Sequence, residues 1–293
     1  MKSALTINLE YAALRGACAV LNAVPYGIAV RLADGLGWFA SSVLRFQRTR
    51  TLRRLRETFP ELDAAAHRRI AVRSLQGVLR TAVEMIRAPK LNRAWMDRYV
   101  VDGEHYKKVL QSLVDEGRGV VVMVPHTGNW YMAAWAMAAY GIGLFALAAR
   151  QRNPKIDAWM KRQYGSIEVL DRDSRGTLLQ IKDKLKAGRA FAILPDLRVR
   201  RKDTEVDFLG GKANVSHAGA AFAVKCGAPI VVAAMRRENG KHVIEHLATL
   251  RPEGRTAADL TREALALLSD FIRRHPGDWY WYNKRWILEP PTE

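Results

Sequence analysis

The sequence predicts an α/β fold, a largely parallel central sheet flanked by helices, entered through an N-terminal amphipathic helical region. Two observations carry this. Beyond Pro89, short runs rich in valine and isoleucine alternate with stretches of helical periodicity, the order expected when each parallel strand needs a crossover helix to reach the next. Before Asp63, apolar stretches meet at a proline and run into a cluster of arginines. A chain of 293 residues with 49% apolar side chains holds one large domain or two small ones and has ample material for a core. No repeat or low-complexity linker appears, so the economical division is N-terminal helices and a basic segment at residues 1–62, then an α/β domain at 63–293.

The elements follow in order. Gly16 to Val30 carries no charge, but at fifteen residues, with Asn22 and Pro25 inside, it is short of the ~20 apolar residues a spanning helix needs. No small-residue cleavage site follows it cleanly, so it does not read as a secretory signal. Trp38, Phe39, Leu44 and Phe46 extend the apolar character past Arg31 and Asp34, which predicts two amphipathic helices meeting near Pro25 and lying in or on a membrane interface. A third helix is expected from about Asp63 to Arg87, where Ile70, Leu75, Leu79, Val83 and Ile86 recur at helical spacing and Pro89 stops it. Strands are expected at Gly119–Val124, Leu144–Ala148, Ile167–Leu170, Ala190–Leu194 and Ile230–Met235. Helices are expected between them at Trp130–Tyr140, Pro154–Gln163, Gly176–Lys186 and His217–Cys226, and a last one at about Ala257–Arg274. Trp130 to Ala149 is twenty residues without a charge, long enough to span a bilayer. Gly141, Gly143 and the valines just before it favour a buried helix followed by a buried strand.

A net charge of +18 implies an anionic partner. Arg45, Arg48, Arg50, Arg53, Arg54 and Arg56 fall within twelve residues directly after the apolar helices. That juxtaposition suits a lipid headgroup layer better than DNA, which needs no apolar anchor, and no nucleic-acid motif is present. An ordinary solvated helix face is the competing reading. Cys18 and Cys226 stand far apart and read as free thiols. No histidine–carboxylate spacing suits a metal, and Gly210-Gly211 alone is no phosphate loop, so no cofactor is expected.

The segment that bears chemistry is Pro125-His126-Thr127-Gly128-Asn129-Trp130, where a buried strand ends and a helix begins. Parallel sheets bind ligands there, beside helix N-termini. Asn129 is a natural N-cap and Gly128 permits a tight turn. His126 reads either as a general base on a cleft floor or as a hydrogen-bonded structural residue.

His126-Thr127-Gly128-Asn129-Trp130 resembles the signature of the late acyltransferases of lipid A biosynthesis, a branch of the lysophospholipid acyltransferase superfamily. The likeness extends through Thr58-Phe59-Pro60-Glu61-Leu62, Arg150 to Pro154, Leu194-Pro195-Asp196, Val206 to Gly210, Gly227 to Val231 and the aromatic tail Trp279-Tyr280-Trp281-Tyr282. It implies transfer of an acyl chain from acyl carrier protein, or coenzyme A, to a hydroxyl of a lipid or glycolipid. It also implies a site on the cytoplasmic face of a bacterial inner membrane, with no nucleic acid involved. In that family an acid five residues after the histidine completes the catalytic motif, whereas Tyr131 stands there in this chain. Three readings follow: Tyr131 itself supports His126, Asp196 stands in as the acid, or catalysis is impaired. The resemblance also places Asn129, Arg150, Arg152, Asn153 and Arg198 as candidate substrate contacts. Arg198, Arg200, Arg201 and Lys202 form a basic loop suited to acyl carrier protein, to anionic lipid, or simply to solvent. Ser216 reads as an N-cap, and the aromatic tail as an interfacial belt or as core.

Overall fold

The computed structural model describes residues 3–289. Helix α1 (Ala4–Ala23) is capped by Ser3, whose hydroxyl accepts from the Thr6 amide at 3.2 Å, and α2 (Tyr26–Ser42) starts directly after Pro25. Pro25 forces the break, because it offers no amide proton and drives Val24 into an extended conformation with ψ 154°. On α2 the two faces differ sharply. Ala29, Ala33, Gly37 and Ser41 form a buried ridge of small side chains, while Ile28, Leu32, Leu36, Phe39 and Val43 form an exposed apolar stripe. The ridge packs on α4 (Ala64–Arg87), which Asp63 caps and a 3-10 turn through Pro89 ends. Between them lies α3 (Arg48–Thr58).

The chain then passes through α5 (Arg93–Tyr99), β1 (Val100–Val101) and α6 (Gly103–Val114) into β2 (Val120–Met123). All four β2 side chains are buried, as a strand covered on both faces of a sheet requires. There follow α7 (Trp130–Ala139), β3 (Leu144–Ala148), α8 (Pro154–Gln163), β4 (Glu168–Asp171), α9 (Thr177–Lys186) and β5 (Ala190–Ile193). A hairpin, β6 (Thr204–Phe208) and β7 (Gly211–Val215), precedes α10 (Ala218–Cys226), β8 (Ile230–Glu238), β9 (Lys241–Leu250) and α11 (Ala257–Arg274).

The sheet runs β1-β9-β8-β2-β5-β3-β4, with β9 antiparallel to β8 and the other neighbours parallel. The charge-free stretch at Trp130–Ala149 is thus a helix and then a strand inside the fold. Among the described residues no helix is long and apolar enough to cross a membrane. One core lies between the sheet and α4, α10 and α11, the other between the sheet and α5, α6, α7 and α8. The aromatic tail belongs to the first core: Trp279, Trp281, Tyr282 and Trp286 are all buried. Arg54, expected at a lipid surface with its neighbours, is instead 1% exposed and is part of that packing. Its guanidinium lies 4.5 Å from the centre of the Trp286 ring and donates to the carbonyls of Trp281 and Asn283 at 2.9 and 2.8 Å. Burial and the neighbouring Arg50 pull its pKa down to about 10, so it remains a cation at neutral pH. Cys18 and Cys226 are free thiols.

The close approach of α2 to α4 gives the first prediction. A Cβ at Gly37 would lie 2.9 Å from the backbone Cα of Gln76, whereas one at Gly35 meets nothing within 4 Å. Gly37→Val should therefore cost about 1–3 kcal/mol through overpacking, and Gly35→Ala should be neutral or slightly stabilising. Thermal unfolding of the two variants decides this; equal melting temperatures would contradict the packing account.

Candidate active site

The loop from Val124 to Asn129 leaves the carboxyl end of β2, the central strand, and runs into α7. Its shape is fixed from several directions. Gly128 has φ +56°, and a Cβ there would lie 2.7 Å from the Met235 carbonyl oxygen, so only glycine fits. The Gly128 amide donates to the Asp278 carbonyl at 2.8 Å, and its carbonyl accepts from the Thr81 hydroxyl at 3.2 Å. Thr127 pairs with Trp279 as an isolated β-bridge, and the Tyr280 amide donates to the His126 carbonyl at 3.1 Å. The aromatic tail therefore acts as a short strand laid along the loop.

This arrangement presents His126 to Asp196. The Nδ1 atom of His126 lies 2.7 Å from Oδ1 of Asp196, and the His126 amide donates to Oδ2 at 2.7 Å. The indole of Trp279 donates to the same Oδ2 at 2.8 Å. The Asp196 side chain is fully buried. Burial pushes its pKa up, but the attraction of His126 and the three donors outweigh burial and hold it below the ordinary aspartate value. A carboxylate has no proton to give, so Nδ1 carries the hydrogen and Nε2 carries the lone pair. The His126 side chain is 16% exposed. Asp196 is therefore the hydrogen-bond partner of the His126 ring and of its amide.

Tyr131 goes elsewhere. Its ring stacks on Trp135 at 5.7 Å and lies 6.1 Å from Tyr164, and burial raises its pKa. The ring hydrogen bond of His126 is made to Asp196, and Tyr131 instead lines a cavity that starts at His126. That cavity holds about 270 Å³ and runs between the sheet and helices α6, α7 and α8. Ala146 and Ala148 of β3 and Ala192 of β5 leave the space open, and Leu110, Met137 and Ile167 are among its apolar walls. A smaller hollow on the other side of His126 is lined by Asp196, Trp279, Tyr280, Asn283 and Arg285.

The remaining candidates divide. Asn129 is fully buried: Oδ1 accepts from the amides of Tyr131 and Met132, and Nδ2 donates to Glu84 at 2.7 Å, so the side chain is spent on the fold. Asn153 likewise caps α8 and donates to Ile7 and Glu10 of α1, both at 2.9 Å. Arg150 is exposed and paired with Asp171, and Arg152 is exposed. Arg198 faces Glu289 at 3.7 Å, while Arg200, Arg201 and Lys202 are exposed. Ser216 accepts from the Ala218 amide at the start of α10. None of these arginines lines the cavity beside His126.

A second buried carboxylate, not foreseen from the sequence, stands behind the loop. Glu84 of α4 accepts from Arg237 at 2.6 and 2.7 Å, from Tyr26 at 2.7 Å and from Asn129 at 2.7 Å, with His242 at 3.2 Å. Burial alone would raise its pKa, but Arg237 and His242 hold it well below the ordinary glutamate value. The one available sequence signal was a lone glutamate on the apolar face of a helix, which demands a buried partner.

A parallel sheet with a histidine–aspartate pair at its central strand and an apolar cavity beside it is an arrangement suited to acyl transfer. The chain belongs to the bacterial lipid A biosynthesis acyltransferase family, which matches residues 4–287, and so to the acyltransferases that act between an acyl donor and a lipid acceptor. It is similar to the phosphatidylinositol mannoside acyltransferase of Mycolicibacterium smegmatis, 26% identical over 235 residues that cover 75% of this chain and 73% of that protein. The phosphatidylinositol mannoside acyltransferase of Mycobacterium tuberculosis strain H37Rv is 24% identical over 229 residues, 74% of this chain and 70% of its own length.

Glu84 supplies the second prediction. Removing one partner of a buried ion pair costs about 3–5 kcal/mol, so Glu84→Gln should lower stability by that order at neutral pH. Because the folded pKa is depressed, the carboxylate's contribution is present above its unfolded value of 4.5 and is lost as pH falls through the folded one. The stability gap between parent and variant, measured by chemical denaturation, should therefore narrow on acidification; a gap that widens would refute the assignment.

Proposed function

We propose that the protein moves a fatty acyl chain from an acyl thioester, carried by acyl carrier protein or coenzyme A, to a hydroxyl of a lipid or glycolipid such as a lipid A precursor. His126 is the general base. The observation that carries the reading is the His126–Asp196 pair, whose imidazole is held through Nδ1 and lines an apolar cavity. In the reaction Nε2 takes the proton of the acceptor hydroxyl as its oxygen attacks the thioester carbonyl. The C–S bond then breaks, and the departing thiolate receives the proton back from the imidazolium. Asp196 fixes the tautomer and stabilises that imidazolium throughout. The cavity takes the hydrocarbon chain.

Tyr131 does not argue against activity on this reading, because the acid it displaces is supplied by Asp196. The relatives' names describe glycolipid acceptors, which supports a hydroxylated glycolipid here. Ile28, Leu32, Leu36, Phe39 and Val43 support shallow seating of α2 in the cytoplasmic face of a bacterial inner membrane. The basic loop of Arg198, Arg200, Arg201 and Lys202 suits an acidic carrier protein.

Transfer of a radiolabelled acyl group from thioester to membrane lipid tests the roles. His126→Ala should lower the rate by about 10²–10⁴ and Asp196→Asn by up to about 10⁴, whereas Tyr131→Phe should change it little. If Tyr131→Phe is the damaging change and Asp196→Asn is not, the tyrosine is the supporting group. A further outcome follows from the cavity: Ala146→Leu should shift preference toward shorter acyl donors, and an unchanged chain-length profile would mean that the chain lies elsewhere.

A further inference from the structure

On the flank of α2, away from the active site, two adjoining hollows of about 190 and 460 Å³ follow the seam between α2 and α4. Ser42, Arg68 and Val72 line both. Arg48 closes one end, and Arg69 and Arg73 line the other hollow. No carboxylate lines either one. Among the described residues Arg73 is paired with Asp278 at 3.2 Å, while Arg48, Arg68 and Arg69 make no such ion pair; the last two act on the fully exposed Asp63 only at longer range. Leu52, Ala71 and Val72 give the groove an apolar floor, and Trp38, 54% exposed, stands at its lip.

The direction of the groove is set by the helix that forms it. At 100° per residue, Trp38 and Ser42 fall between the buried ridge of α2 and its exposed stripe of Ile28, Leu32, Leu36, Phe39 and Val43. When that stripe lies at the acyl boundary of a bilayer, the groove lies at the depth of the phosphates. Guanidinium forks and a serine hydroxyl fit a phosphate ester, and a tryptophan at the lip fits the headgroup layer.

We infer that this groove is a binding site for the phosphate headgroup of an anionic glycerophospholipid in the membrane, formed by Arg48, Arg68, Arg69 and Ser42. The inference rests on the membrane seating of α2 proposed above and goes beyond it. Seating alone needs only an apolar stripe and diffuse charge, whereas the groove assigns the charge to one place.

Flotation of the full-length protein with vesicles tests it. Phosphatidylcholine vesicles with and without phosphatidylglycerol are compared for the parent and for the double variant Arg48→Gln/Arg68→Gln. The control, Lys186→Gln/Lys225→Gln, removes the same charge from the exposed C-terminal ends of α9 and α10, which do not line the groove. The groove variant should need about tenfold more phosphatidylglycerol vesicles for half-maximal flotation, and the control should need less than about twofold more, with both melting like the parent. Equal losses in groove variant and control would overturn the site in favour of diffuse attraction. Displacement of the parent by millimolar glycerol phosphate, but not by sulfate at equal ionic strength, would overturn the bilayer as the source and leave a site for a free phosphate ester. A parent that floats with neither vesicle refutes the membrane seating itself. Leu32→Asn/Leu36→Asn checks that reading separately, since it should weaken flotation with both vesicle types.

Discussion

Asp196 is the point from which the site is organised. A fully buried carboxylate is tolerable only when its lone pairs are satisfied, and here three N–H groups from two separate regions do so. His126 contributes two of them from the end of β2, and Trp279 contributes the third from the aromatic tail. The carboxylate itself follows β5, the parallel neighbour of β2. The parallel register of β2 and β5 thus brings two chain segments seventy residues apart to hydrogen-bonding distance. Meeting the demand of one buried charge fixes the imidazole tautomer, the path of the 125–129 loop and the docking of the tail together.

The far side of the same loop is held by a second buried carboxylate. Glu84 gathers Tyr26 from the elbow between α1 and α2, Asn129 from the loop, and Arg237 and His242 from the β8–β9 hairpin. Such clusters are weak contributors to net stability, because desolvation offsets most of their attraction. Their effect is on geometry: losing Glu84 or Arg237 leaves the other buried charge unpaired, so alternative arrangements are penalised. The N-terminal helices are joined through Glu84 to the helix cap that follows His126. A change at Tyr26 is therefore felt at Asn129 through a single intervening side chain.

The sheet was legible because its strands are short, apolar and β-branched, and Val120–Met123, Leu144–Ala148, Ala190–Ile193 and the start of Ile230–Glu238 all fall where periodicity puts them. What escaped has identifiable causes. β9 interleaves His242, Glu245, His246 and Thr249 with its apolar residues, so its Lys241–Leu250 sequence shows no long apolar run, although Asn239-Gly240, both at positive φ, is a strong hairpin signal. β1 is two residues long and exists through its pairing with β9. Within the site, the Asn129 cap was legible from local position, whereas His126 and Asp196 were singled out through the resemblance. The contact between His126 and Asp196 depends on strand order, which a single sequence does not state. Trp279 and Glu84 reach the loop only through the tertiary fold, and so did not register as neighbours of His126. The resemblance placed Asn129 and Asn153 among the candidate substrate contacts; both stand at helix starts, and both side chains are consumed as caps.

The charge of +18 looks uniform in the composition but is put to different uses in the fold. Arg54 and Arg237 are buried and structural, held by carbonyls and an indole in one case and by Glu84 in the other. Arg80 ties α4 to Asp34 of α2. Each of these has its partner inside the protein, so none adds to attraction at the surface in proportion to its formal charge. Apolar surface is divided in the same way. One portion lines the cavity beside His126, between the sheet and three helices; another lies along α2, facing outward. The acyl transfer proposed for this chain would use both surfaces, one for the hydrocarbon chain and one for the membrane. The polar cluster of Glu84, Asn129 and Arg237 stands between the α2 elbow and the loop that follows β2, so the contact between those two regions is polar.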